Sequence, residues 1–207
     1  MSAPARLPAA PRRQPDRTRQ RLLEAAFEEI HRSGFRSASL DAILRAAGVT
    51  KGALYHHFRN KKELGYAVVD EVVRPWVEDR WKPVAEAENC LDAAVATVNR
   101  ALAERSELGI AYGCPFNNLC QEMSPVDEGF RDRLNGILDD WRTGLADAIR
   151  RGQQRGHVRA DADPEAAATF IVASVEGAIG MAKAAQSREF IELSMRGLIE
   201  YLERARA

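Results

Sequence analysis

Residues 39–58 read SLDAILRAAGVTKGALYHHF, and their spacing decides the fold of the segment around them. Leu40, Ile43, Leu44 and Ala47 recur at helical intervals, with Ser39 just ahead as an N-cap. Gly48 follows, where a helix can end in a left-handed residue at no steric cost. Val49 fills the corner, and Thr50 caps a second helix on which Leu54 and Phe58 lie four apart on one side. Burying that side turns Gly52, Tyr55 and His56 outward, with Lys51 and Ala53 on the flanks. A short helix that presents a cation, a glycine, a phenol and an imidazole suits close approach to another molecule. The pattern fits a helix-turn-helix, whose second helix enters the DNA major groove N-terminus first.

The charge distribution points the same way. The 207 residues hold 30 Lys or Arg against 30 Asp or Glu, so the net charge of zero argues on its face against a nucleic-acid binder. Residues 1–62, however, hold thirteen basic and five acidic side chains, a balance of +8, which leaves −8 on residues 63–207. A basic head on an acidic body is the footprint of a phosphate-binding segment joined to something else. Arg17, Arg19 and Arg21 stand in the first turns of the helix TRQRLLEAAFEEIHRSG, where cations oppose the helix dipole; a phosphate partner explains them better.

Hydrophobic residues make up 45% of the chain, ample for a core. No segment approaches the roughly 20 apolar residues of a membrane span, and the N-terminal MSAPARLPAAPRRQP lacks the apolar stretch of a signal peptide. Residues 1–15 are expected to form a disordered basic arm. Three cysteines, Cys90, Cys114 and Cys120, form no CxxC pair and are odd in number, so free thiols in a reducing cytoplasm are expected.

Beyond the central stretch, Asn60 and Glu63 resemble a capping box for a helix carrying Leu64, Ala67, Val68 and Val72. Pro75 is expected to kink or end it, and Pro83 to lie in a second break. Leu91, Val95, Val98 and Leu102 give the next helix one apolar face. Gly109 to Gly113 reads as a loop, and Pro115 to Met123 as a short helix. Ser124-Pro125 is expected to open a long helix running to about Arg155. Asp163-Pro164 starts another, and Ser187 to Ala205 is the last. Period-two alternation is absent. The expectation is an all-α chain of roughly nine helices.

The segment from about Arg17 to Val73 resembles the DNA-binding domain of the tetracycline-repressor (TetR) family of bacterial regulators. The resemblance rests on the helix before Gly34-Phe35, the Ser39 cap, AGVTKGALYHHF and Asn60-Lys61-Lys62-Glu63-Leu64. It implies a three-helix DNA-binding head (16–62) and a helical effector-binding and dimerisation body (63–207). On the head, Lys51, Lys61 and the hydroxyls of Ser39, Thr50 and Tyr55 are placed for phosphates, as in the family the tyrosine and lysine commonly are. Gly52 lets the backbone approach the groove, and Ala53 and His56 reach base edges. In the body, an effector is implied among the middle helices, where Trp76, Trp81, Tyr112, Cys114, Phe116, Asn117, Trp141, Phe170 and Met181 offer aromatic and polar groups. The resemblance further implies a four-helix contact between two copies through the last two helices. Gly177, Gly180 and Ala184 leave room there, and Ile191, Met195, Leu198 and Leu202 supply apolar surface.

No GxSxG, phosphate loop, dinucleotide fingerprint or HExxH is present. Neither an enzyme nor a cofactor is expected, and adjacent His56 and His57 point too far apart to share a metal. The functional expectation is a dimeric, ligand-responsive regulator, a repressor released from its operator by a small molecule. Two alternatives stay open. One is a redox or electrophile sensor using Cys114, whose place between Gly113 and Pro115 at a helix N-terminus would favour the thiolate. The other is an architectural DNA-binding protein without effector.

Overall fold

A computed structural model describes residues 17–207; the arm expected at residues 1–15 lies outside the described residues. The chain is all-α. Among the described residues eleven α-helices follow one another: α1 (Arg17–Ser33), α2 (Leu40–Ala47), α3 (Lys51–His57), α4 (Lys61–Val68), α5 (Arg74–Glu86), α6 (Cys90–Glu104), α7 (Glu107–Tyr112), α8 (Pro115–Met123), α9 (Glu128–Gln154), α10 (Pro164–Ala185) and α11 (Glu189–Arg204). A π-helical turn, Val69–Val73, joins α4 to α5 without a break.

Local chemistry explains most of these boundaries. Ser39 Oγ accepts from Ala42 N at 3.3 Å, Thr50 Oγ1 from Ala53 N at 3.2 Å and Asn60 Oδ1 from Glu63 N at 2.9 Å. Each side chain thus satisfies an N–H that the helix start leaves orphaned. Gly48 ends α2 at φ +61°, the left-handed conformation its lack of Cβ permits. Asp163 caps α10 by accepting from Glu165 N and Ala166 N.

Four local expectations differ. Gly109 lies inside α7 rather than in a loop, because Ser106 Oγ accepts from its N–H at 3.1 Å and starts a helix there. Pro83 sits within α5 without breaking it. The bond its missing N–H forfeits would join it to Asp79; both residues are exposed, on a side of the helix open to solvent, where that loss costs least. Pro75 likewise stays helical, just after the π-turn, whose added residue widens the coil where the proline ring would otherwise meet the carbonyl one turn back. The long helix α9 starts at Glu128, not at Ser124-Pro125, because Asp127 caps it by accepting from Phe130 N at 3.0 Å. The helix count rises accordingly from nine to eleven.

The head, α1 to α3, packs around Leu22, Ala26, Ile43 and Leu54, all nearly inaccessible. Gly65 on α4 lets the head meet the body: a Cβ there would lie 2.4 Å from the Phe35 ring and 2.7 Å from Phe130. Polar ties reinforce the joint. Asp127 accepts from Tyr66 Oη at 2.6 Å and pairs with Lys62 Nζ at 2.8 Å, which holds its carboxyl well below the usual range. Arg19 forms a two-point pair with Glu71, and Arg133 pairs with Asp70 at 2.9 Å.

In the body, α10 packs between α9 and α11, and α5 against α6 and α9. Helix α10 is the one described helix with the length and apolar composition of a membrane span, contrary to the expectation that no segment approaches one. Its inner residues Ala168, Ile171, Ala178 and Ala182 are buried against its neighbours, and Glu176 and Lys183 interrupt it.

Candidate functional site

The second helix of the helix-turn-helix stands clear of the molecule. Leu54 and Phe58 anchor it, 0% and 3% exposed, while Lys51, Gly52, Tyr55 and His56 face outward and Ala53 is half-buried. A Cβ built on Gly52 would meet only Thr50 Oγ1, at 3.9 Å. Nothing among the described residues therefore requires a glycine at this position. Ser39 and Thr50 accept backbone hydrogen bonds but keep their hydroxyl protons for an outside acceptor. Arg17 is exposed at the start of α1. Lys61 is the exception among the expected phosphate contacts. Its Nζ donates to Arg36 O at 3.0 Å and lies 5.1 Å from the Phe35 ring centroid, and partial burial lowers its pKa. It braces the head's own loop.

Between α5, α6, α9, α10 and α11 the body holds a narrow cavity of about 40 Å³. All three tryptophans of the chain line it: Trp76, Trp81 and Trp141. The Trp81 and Trp141 rings lie 5.2 Å apart. Arg80, Arg105, Thr97 and Glu176 bring polar groups to an otherwise apolar wall. The other expected pocket residues fall elsewhere. Phe116 is buried behind Trp141, at 6.4 Å, and Tyr112 stands edge-on to His31 in the head. Cys114 and Asn117 form a layer behind Glu176: Cys114 Sγ donates to Glu176 Oε1 at 3.4 Å and Asn117 Nδ2 to Glu176 O at 3.3 Å. Phe170 and Met181 point away from the pocket and are 46% and 48% exposed.

The expected dimer residues divide in a similar way. Ile191 and Met195 line the cavity instead of offering themselves to a second copy. Leu198 and Leu202 are 1% exposed, inside the protomer core. The apolar face of α11 is turned toward its own body, so this part of the interface expectation is corrected. Gly180 is half-buried, with Asn117 Nδ2 3.8 Å from where a Cβ would stand. Gly177 and Ala184 remain outward, and they share one side of α10 with Phe170, Ala173 and Met181. Beside them on α11, Phe190 and Leu193 are 40% and 50% exposed.

Cys114 does cap α8 by position, but its thiol behaves opposite to expectation. The residue is 2% exposed. Burial and then the Glu176 carboxyl push its pKa well above the ordinary thiol value, while the N–H groups of Asn117 and Phe116 pull weakly the other way. At this helix N-terminus desolvation outweighs the dipole, so the thiolate is suppressed. Cys120 is likewise pushed up, to about 12, and Cys90 is raised.

Glu176 was legible in the sequence only as an acidic residue in an apolar run; Arg80 and Arg105 gave no signal. Burial raises the Glu176 pKa from 4.5 to about 7, against the Cys114 hydrogen bond and the Arg105 and Arg80 charges, which pull it down. Its folded pKa is the higher one, so its stabilising contribution is complete below about pH 4.5 and is lost as pH rises through about 7. At about 1.4 kcal/mol per unit the upper limit is about 3 kcal/mol. The stability difference between wild type and Glu176→Gln is expected to change across that window and to stay flat above pH 8; chemical denaturation at stepped pH measures it. A difference constant from pH 4 to 8 would place the carboxyl in contact with water.

Helix α8 links the pocket to the head. At its start Cys114 and Asn117 hold Glu176; at its end the Glu122 carboxylate accepts from Phe35 N at 2.7 Å and Arg36 N at 2.8 Å. His31 contacts Gly113 O at 3.0 Å across the same seam.

A helix-turn-helix with an outward second helix, set on an all-helical body, defines a DNA-binding transcriptional regulator. Residues 22–68 match the family described as "Bacterial regulatory proteins, tetR family", and residues 90–198 match "Tetracyclin repressor-like, C-terminal domain". The transcriptional regulator AcuR of Cereibacter sphaeroides is 35% identical over 182 residues, spanning 84% of this chain and 80% of AcuR. The HTH-type transcriptional repressor DhaR of a Mycobacterium species is 28% identical over 192 residues, 89% of this chain and 91% of DhaR. The crystal structure of a regulatory protein TetR from Rhodobacter sphaeroides superposes with a TM-score of 0.77 at 29% identity, over 92% of this chain and 99% of that one. The chain belongs to the TetR family of transcriptional regulators.

Proposed function

We propose that this chain is a homodimeric repressor, released from its operator by a small molecule bound in the three-tryptophan pocket. Regulators of its family bind operator DNA and pair as homodimers. The observation that carries the ligand-responsive part is the double attachment of α8. One nine-residue helix holds the pocket's only lining carboxylate at one end and the backbone of the head at the other. A ligand that displaces Glu176 shifts α8, and Glu122 passes that shift to the loop before the helix-turn-helix. The two heads of a pair then no longer match successive major grooves, so the effect is a change in population between two spacings. The head would extend to about residue 62, and the protein would act in the cytoplasm. The buried, neutral Cys114 removes the observation that favoured a thiol sensor.

Lys51, Tyr55 and His56 would make the DNA contacts, with Gly52 admitting the backbone. Lys51→Ala is expected to weaken binding to operator and random duplex alike and to make the slope of log affinity against log salt shallower by about one unit. Gly52→Ala separates folding from function. Its methyl enters open space in an exposed helix, so the protomer gains up to about 1 kcal/mol while DNA affinity falls. Thermal unfolding and fluorescence anisotropy on duplexes from the gene's own upstream region read both signs. Full affinity in Gly52→Ala would mean that α3 does not enter a groove. A regulator whose DNA affinity no compound alters would instead be the effector-free architectural alternative.

A further inference from the structure

Among the described residues, three side-chain polar atoms are buried without a hydrogen-bond partner: Arg80 Nε, Trp141 Nε1 and Glu176 Oε2. All three belong to residues lining one cavity. Native structures rarely leave such atoms unpaired, and three around a single space mark groups that a bound molecule completes. Their chemistry defines that molecule. Arg80 and Trp141 offer only N–H donors, and the guanidinium is always charged. Arg105, a second guanidinium on the same wall, makes only a long contact, 3.4 Å, to Gly109 O. Neither arginine forms an ion pair with a carboxylate among the described residues, and Arg80 stacks on Trp76 at 4.8 Å. Arg188, which donates to the carbonyls of Arg105 and Leu102, adds further positive charge behind them.

We propose that this pocket takes an organic carboxylate, whose oxygens accept from Arg80 Nε and Trp141 Nε1 and whose apolar tail lies against Trp76, Trp81 and Ile179. The assignment rests on the reading of this cavity as the effector site and adds the ligand's chemical class to it. A cationic ligand would face two unpaired guanidinium groups and a single carboxyl. Glu176 then serves as a third donor when protonated, which it is below about pH 7. Arg80 from α5, Arg105 from the end of α6, and Cys114 and Cys120 from α8 are the ionisable groups that act on it. An ionised Glu176 beside a bound carboxylate is repulsive, so affinity falls with rising pH.

Because all three tryptophans line this cavity, intrinsic fluorescence of the full chain reads its occupancy directly. The probes are hexanoate, hexanamide and hexylamine, equal in tail and different in head group. Hexanoate is expected to bind, with affinity about tenfold weaker at pH 8 than at pH 6, and Glu176→Gln flattens that dependence. Arg80→Gln is expected to weaken hexanoate at least about tenfold and to leave hexanamide unchanged. Trp141→Phe, which keeps the packing and removes one N–H, supplies the same test should the arginine variant fold poorly. Preference for hexylamine, equal binding of hexanoate and hexanamide, or no response to millimolar hexanoate would overturn the carboxylate assignment. The same titrations on operator-bound protein keep the two readings apart. Hexanoate that binds in an Arg80-dependent way without loosening DNA sustains the carboxylate and sinks the regulatory role of the pocket. Release by the amide or amine alone does the reverse.

Discussion

Replacing Gly177 by arginine is expected to leave the protomer folded and to separate the dimer. Apart from its chain neighbours and its own helix backbone, no atom of the described residues lies within 4 Å of the position a Cβ would take there, so the new side chain starts into open space. Replacing an exposed mid-helix glycine by a better helix former adds up to about 1 kcal/mol to the protomer, so its fold is not weakened. Gly177 stands at the middle of the outward stripe formed by Phe170, Ala173, Met181 and Ala184, next to exposed Phe190 and Leu193. An apolar stripe of that length on two adjacent helices is the surface a second copy would cover, and an arginine at its centre puts a charge into the contact without a partner. A single head then loses the tethered help of the other, a factor of about 10²–10⁴ in operator affinity. Sedimentation velocity and operator titration measure both effects. Leu198→Ala is the counterpart. Its side chain is 1% exposed within the protomer, so about 2–5 kcal/mol of protomer stability is lost, and dimer affinity follows only as far as folding fails. A Gly177→Arg protein that remains fully dimeric would move the interface off α10.

Glu122→Ala is expected to disconnect the pocket from the head. The carboxylate accepts from the backbone N–H groups of Phe35 and Arg36, and among the described residues nothing else on α8 makes a hydrogen bond of this length to the head. Hydrogen bonds to a charged acceptor contribute about 1.5–3 kcal/mol. Arg36 is exposed and its N–H can turn to water, so the loss is mainly that of the half-buried Phe35 bond. Operator affinity without ligand is expected to change only a few-fold, because α3 and its caps are untouched. The ratio of operator affinities with and without a pocket ligand, commonly 5–150-fold in coupled sites, is expected to fall below about twofold. If Glu122→Ala unfolds more easily yet is still released in full, the signal travels instead through the π-turn at Val69–Val73, which also joins head to body.

How far the chain could be read without coordinates depended on the range of the forces involved. The helix-turn-helix was legible because its determinants are local: Ser39, Thr50 and Asn60 cap helices three residues away, and Gly48 sits where a left-handed residue is needed. The same holds for Asp163 ahead of α10. Pro83 and Gly109 misled for the opposite reason. Each carries a real local preference against helix, which an exposed backbone bond and the Ser106 cap respectively outweighed.

The sites were legible only where the chain positions them within one turn of helix. From sequence alone, the outward set Lys51, Gly52, Tyr55 and His56 followed once Leu54 and Phe58 were turned inward. The periodicity of Ile191, Met195, Leu198 and Leu202 likewise determined one apolar face on α11, but not what that face meets. Tertiary packing turned it into the protomer, where Ile191 and Met195 became pocket wall, and left Phe170 and Met181 of α10 outside. Lys61 became a brace for the head loop rather than a free cation. Cys114 is decided in the same way: the helix start favours its thiolate, but the Glu176 carboxyl, 62 residues further along the chain, and the exclusion of water reverse that preference. Hydrogen bonds of caps and the period of a helix act between near neighbours and are therefore written in the sequence. Desolvation and the meeting of Arg80, Arg105, Trp141 and Glu176 depend on which helices pack together, and only the assembled fold determines that.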